Sequence, residues 1–256
     1  MKLENYKTRI IDYKIELYLK SFGAVLIEGP KWCGKTWSSK NNCNSEFLIA
    51  SPKGNFNNKK IALMNPELAL IGEKPRLIDE WQEVPAIWDA IRGKIDDNPQ
   101  KGQFLLTGSA SINKNNYIHS GTGRIARLKM RPMTLYESGK SDGSISLLDI
   151  CNSKYINILT GEVNLEKIIE YILVGGWPAV QDLNLEQGLL VAKEYVKSIV
   201  NEDIFKVDNI KRDKHKVELL FRSLARNEST TVTNNTLKKD IKEKDYNDIN
   251  IDTISD

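Results

Sequence analysis

The run AVLIEGPKWCGKTW, residues 24–37, decides how the rest of the chain is read. Ala24, Val25, Leu26 and Ile27 are apolar without alternation, the pattern of a strand buried on both faces. The run is broken at Glu28-Gly29-Pro30. Gly29 to Thr36 then fit G-x-x-x-x-G-K-[ST] at every fixed position. Glycines let such a loop wrap until backbone N–H groups converge on phosphate oxygens. Lys35 is placed to reach the β- and γ-phosphates, and the Thr36 hydroxyl to hold Mg²⁺. A helix expected over 35–40 begins inside the motif, as a phosphate loop requires. The nucleotide contacts expected from this segment are Gly29, Pro30, Lys31, Trp32, Cys33, Gly34, Lys35, Thr36 and Trp37.

Outward from this loop, short apolar runs alternate with helical patterns. Further strands are expected over 46–50, 76–78 and 103–107. Helices are expected over 3–22, 61–71 and 84–95, the last with Val84, Ile87, Trp88, Ile91 and Ile95 on one face. That alternation predicts an α/β fold, a mostly parallel sheet flanked by helices. Asp79-Glu80 ends the 76–78 strand as a Walker B pair would. Asp79 would orient Mg²⁺ and Glu80 would polarise the attacking water. An acidic start to the next helix is the competing reading of the pair. Thr107, with Ser109 next, ends another strand where a polar group would sense the γ-phosphate; a turn of small residues would look the same.

In the run 124–131, Arg127, Lys129 and Arg131 share one face and Ala126, Leu128 and Met130 the other. This basic face fits an arginine finger for a neighbouring subunit, a nucleic-acid backbone, or a solvated edge strand kept apart by its charges. Arg124 is the finger candidate. Trp81 and Trp88 read as core anchors and Gly175-Gly176 as a helix stop.

Composition narrows the classes further. The 256 residues carry 37 Lys plus Arg against 34 Asp plus Glu, a net of +3, so a nucleic-acid site would have to be local. No apolar run approaches the roughly 18 residues of a membrane helix, and residues 1–10 do not read as an export signal. Three cysteines without C-x-x-C spacing and two histidines argue against structural zinc and for a reduced, cytoplasmic setting. After residue 140 the pattern turns to a Gly/Ser-rich loop over 137–146 and helices over 165–174, 189–204 and 216–225. Residues 229–256 are polar, with few apolar groups to offset the entropy of ordering them.

Several further segments together resemble one family. They are Arg9-Ile10-Ile11-Asp12, residues 22–37, Leu77 to Gln82, Phe104 to Ser109, Gly123-Arg124, Arg131-Pro132, Gly175 to Pro178 and Ser223 to Asn227. The chain resembles bacterial and archaeal AAA-type ATP-binding proteins that carry a C-terminal domain of unknown function. The resemblance implies an AAA+-like P-loop NTPase core binding ATP and Mg²⁺, then a helical region leading into a winged helix. It implies a P-loop domain over 1–140, a helical region over 141–228 and an incomplete winged-helix-like start over 229–256. By position, Lys35 and Thr36 would bind nucleotide and metal, Asp79 and Glu80 would form Walker B, and Arg124 would be the arginine contact. The expected activity is Mg²⁺-dependent ATP hydrolysis driving a conformational or assembly change, with homo-oligomers and a DNA or protein partner as candidates. The alternatives are a nucleotide-regulated binding module with little turnover and a P-loop kinase for a small acceptor.

Overall fold

The computed structural model describes residues 4–109, 120–154, 163–204 and 213–255. They divide into two compact units, 1–189 and 190–256.

In the first unit, helix α1 (Ile10–Ser21) leads into strand β1 (Ala24–Gly29) and helix α2 (Lys35–Asn41). Then come β2 (Ser45–Leu48), α3 (Lys53–Met64), α4 (Pro66–Ala69), β3 (Arg76–Asp79), α5 (Ala86–Asp97), β4 (Phe104–Ser109) and β5 (Ile125–Lys129). The strands form one sheet in the order β2-β3-β4-β1-β5, and every adjacent pair is parallel. The expected α/β architecture is therefore present.

Alternation within the strands explains the two cores. Ala24, Leu26, Ile78, Phe104 and Leu106 face α5 and α4, packing on Ile87, Trp88, Ile91 and Ala69. Val25, Ile27, Leu105 and Leu128 face the other way, onto Ile15 and Leu19 of α1. A strand covered on both sides needs apolar residues at every position, which is why residues 24–27 form an unbroken run. Trp81 and Trp88 are fully buried, with ring centroids 4.9 Å apart.

Three local expectations change. Helix α1 starts at Ile10 instead of residue 3, because the Asp12 carboxylate accepts the Arg9 N–H at 2.8 Å and ends the helix there. The helix expected over 61–71 is divided. Pro66 starts α4, with the Asn65 side chain accepting the Glu67 N–H at 3.0 Å. Upstream, α3 takes in the whole polar stretch 53–60, interrupted by Gly54, Asn55 and Phe56 in left-handed conformations.

After the sheet come α6 (Leu147–Cys151), α7 (Leu165–Val174), which stops at Gly175 with φ 73°, and α8 (Leu185–Ser198). A π-helical turn, Ile199–Asp203, extends α8 where a helix to 204 was expected. The second unit adds α9 (Lys214–Arg226), α10 (Asn234–Lys244) and α11 (Ile251–Ser255). Among its described residues it contains no strand. Ile241 and Ile249 close a small core with Leu219, and Arg226 reaches Asp240 and Asp245, each at 2.6 Å.

Candidate nucleotide site

Parallel strands deliver all their carboxyl ends to one edge of the sheet, and crevices open there where neighbouring strands lead their chains apart. The loop after β1 lies at that edge. So do the ends of β3 and β4, because Ile27 is in register with Thr107 and Ile78 with Leu106.

The loop is wound around its own lysine. Lys35 is buried, and its Nζ donates to the carbonyls of Gly29 at 3.0 Å and Pro30 at 2.9 Å. Gly34 has φ 101°, a conformation L side chains rarely adopt, and it opens α2. Trp32 is held at φ 65° despite its bulk, so the loop stores backbone strain. Cys33 is buried with Leu128 and Met130 of the β5 segment, and burial pushes its thiol pKa up.

Beneath the loop, three side chains expected to act together are joined by hydrogen bonds. Thr36 Oγ1 donates to Asp79 Oδ1 at 2.9 Å, and Thr107 Oγ1 donates to the same oxygen at 2.6 Å. Thr107 is fully buried and also accepts the Glu80 N–H at 3.1 Å. Glu80 adopts φ 56°, another left-handed conformation, and its carboxylate accepts from Gln82 Nε2. Hydroxyl and carboxylate oxygens in this arrangement are the hard donors Mg²⁺ prefers. Among the described residues no cluster of three or more His, Cys, Asp or Glu forms a separate metal site.

Above these groups opens a cleft of about 660 Å³, which Lys31, Trp32, Gly34, Lys35, Thr36, Trp37 and Glu80 line from the loop side. The remaining walls were not anticipated. They come from Asn5, Tyr6, Lys7 and Arg9, from Met133 and from Pro178, Ala179 and Asp182. Tyr6 anchors the first wall. Its hydroxyl donates to Asp12 and lies 2.7 Å from Ser38 Oγ on α2. Burial and the neighbouring Asp12 raise the Tyr6 pKa against the opposing Ser38 hydrogen bond, so the phenol stays protonated. The 175–182 wall docks through its backbone, with the Met133 N–H donating to the Gly176 carbonyl at 2.6 Å. Arg9-Ile10-Ile11-Asp12 and Gly175 to Pro178 were visible in the sequence as familiar segments, but nothing in them showed that Arg9 and Pro178 line one cleft.

Arg124 stands apart. The Ala24 N–H donates to its carbonyl, so it lies at the amino end of β1. Five strand residues, about 17 Å at 3.3 Å each, separate that end from Gly29. Its guanidinium donates to Asp96 Oδ1 at 2.7 Å. Arg124 therefore cannot complete the cleft of its own chain. On β5, an edge strand, Arg127 pairs with Glu28 at 2.8 Å, while Lys129 and Arg131 are exposed and Ala126, Leu128 and Met130 are buried. The Ser109 side chain lies outside the described residues. No described helix is long and apolar enough to cross a membrane.

Residues 21–139 match the family model of an AAA domain, and residues 165–251 match that of a domain of unknown function (DUF8612). No curated protein matches the chain. Among solved structures, the chain is similar to a Walker-type ATPase of Pyrococcus abyssi, with a TM-score of 0.56 at 13% identity over 99% of this chain and 88% of that one. A second similar structure is a Signal Transduction ATPase with Numerous Domains (STAND) protein with a tetratricopeptide repeat sensor from Pyrococcus horikoshii. Its TM-score is 0.42 at 15% identity, over 88% of this chain and 35% of that one. The sheet order and the phosphate loop agree with these matches: the chain carries an AAA domain over residues 21–139 and, after it, a domain of unknown function over residues 165–251.

Proposed function

We propose that the cleft binds ATP with Mg²⁺ and that the protein hydrolyses it. One observation carries the reading: Lys35, Thr36, Asp79 and Thr107 converge at the carboxyl ends of three adjacent parallel strands, under a glycine loop. Lys35 would exchange its two carbonyl partners for phosphate oxygens, which are stronger acceptors because they are charged. Thr36 and Asp79 would hold Mg²⁺, which supplies neutralisation of the charge growing on the transferred phosphoryl group. Glu80, fixed by its strained backbone and by the Thr107 bond to its N–H, would orient the attacking water. Trp32, Trp37 and Pro178 offer apolar surface for the base, while Lys7 and Asp182, paired at 3.1 Å, sit at the exposed rim.

Hydrolysis would serve a conformational or assembly change, in the cytoplasm, with Arg124 available only to another copy. Binding of Mg-ATP by titration calorimetry, beside a phosphate-release assay, tests this. Lys35→Ala should abolish measurable binding. Glu80→Gln should keep binding and lower turnover by about 10²-fold or more, the range for a positioned base. Unchanged affinity in Lys35→Ala refutes the site. Binding without any phosphate release would instead identify a nucleotide-regulated module.

A further inference from the structure

Arg9 lies outside the G-x-x-x-x-G-K-[ST] motif, yet it makes a direct connection to the phosphate loop. Its side chain is only 5% exposed, as is that of Glu137, and the two are paired at 2.9 Å. The rest of the guanidinium is bound to main chain. One terminal nitrogen donates to the Cys33 carbonyl at 2.8 Å, and the other to the Arg131 carbonyl at 2.9 Å. A Cβ built on Gly34 would lie 3.2 Å from the first of these nitrogens, so the guanidinium packs directly on the turn of the loop. Glu137 is equally committed. It accepts from the Ile10 N–H at 2.8 Å, the Thr134 N–H at 2.8 Å and the Thr134 hydroxyl at 3.1 Å. Those bonds and the Arg9 charge hold the carboxyl pKa below its usual value although burial pushes it up.

Peptide geometry gives this pair a role. In a planar trans peptide the carbonyl and the following N–H point in opposite directions. Holding the Cys33 carbonyl toward Arg9 therefore turns the Gly34 N–H away from Arg9. We infer that Arg9 is a positioning residue. With its charge offset by Glu137, it fixes the Cys33–Gly34 peptide so that the Gly34 N–H is presented to a nucleotide phosphate. This deepens the proposed function and rests on it.

Arginine suits the task because its rigid planar fork meets three acceptors at once. The single ammonium of lysine keeps the charge but cannot reproduce that fork. The test measures affinity for Mg-ATP and for magnesium tripolyphosphate, together with the melting temperature. The variants are Arg9→Lys, Glu137→Gln and Ile15→Val, the last a core control away from the cleft. Arg9→Lys should weaken tripolyphosphate binding about tenfold or more, the range for losing hydrogen bonds from a charged donor. Glu137→Gln should weaken it in the same direction, and it carries the test if Arg9→Lys fails to fold. Ile15→Val should lower the melting temperature with tripolyphosphate affinity unchanged.

The inference is overturned if the folded Arg9 and Glu137 variants bind tripolyphosphate within twofold of wild type. It is equally overturned if Ile15→Val weakens binding as much as they do. A different failure, wild type that does not bind Mg-ATP or Lys35→Ala that binds it normally, would remove the nucleotide reading itself.

Discussion

Replacing Thr107 by valine isolates the central polar junction. The side chains have nearly the same shape, so the change removes a hydroxyl and leaves little cavity. Thr107 is fully buried, and its Oγ1 serves two partners, donating to Asp79 at 2.6 Å and accepting from the Glu80 N–H at 3.1 Å. A hydrogen bond to a charged group contributes about 1.5–3 kcal/mol, and a buried N–H left without its acceptor costs about 1–3 kcal/mol. Asp79 keeps its bond from Thr36, and Glu80 is only partly buried, so the lower halves of both ranges apply. Together they give about 3 kcal/mol. Urea unfolding followed by tryptophan fluorescence measures it cleanly. All five tryptophans, Trp32, Trp37, Trp81, Trp88 and Trp177, lie in the first compact unit, so the signal reports that unit alone. Thr107→Ser, which keeps the hydroxyl, should recover most of the loss apart from its missing methyl. A Thr107→Val protein within about 0.5 kcal/mol of wild type, the scatter of neutral substitutions, would refute the junction.

Other outcomes follow from the same structure. At Gly29 an added Cβ would lie 2.5 Å from the Met130 carbonyl oxygen, so Gly29→Ala should destabilise the first unit by about 1–3 kcal/mol in the same urea assay. Gly93, in the middle of α5 with nothing near its would-be Cβ, should behave oppositely, Gly93→Ala adding about 0.5–1 kcal/mol. Glu137 has a folded pKa below its unfolded value. The stability it contributes is therefore present above about pH 4.3 and lost as pH falls through the folded value. Urea midpoints measured from about pH 6 to about pH 3 should fall less steeply in Glu137→Gln than in wild type. Ellman's reagent should react quickly with one thiol of the native protein, exposed Cys151. Buried Cys33 and Cys43, whose pKa values burial raises, should react only on unfolding.

The sheet was legible because its strands are buried on both faces and therefore read as short apolar runs, Ala24 to Ile27 most plainly. The spacing of Gly29, Gly34, Lys35 and Thr36 marked a loop, and the carboxyl-end position of Asp79 followed from its place after Leu77 and Ile78. What stayed hidden was contact across long separations. Arg9 meets Glu137 at a distance of 128 residues in sequence, and Lys7 meets Asp182 at 175. No periodicity or local pattern records such pairs. The division of the helix at Pro66 was written in the sequence, but the hydrophobic pattern around it read as continuous. Arg124 shows another limit. A motif gives order along the chain, whereas which end of the sheet a residue occupies depends on strand direction. Only the parallel pairing of β5 with β1 places it opposite the loop.

That opposite placement constrains any assembly. An Arg124 that reaches a phosphate must enter a neighbour's cleft, joining the amino-end edge of one sheet to the carboxyl-end edge of the next. A two-fold dimer satisfies both copies only if they lie antiparallel, each amino-end edge against the other's carboxyl-end edge. With copies pointing the same way, the contact leaves one cleft unfilled and repeats into a ring or a filament.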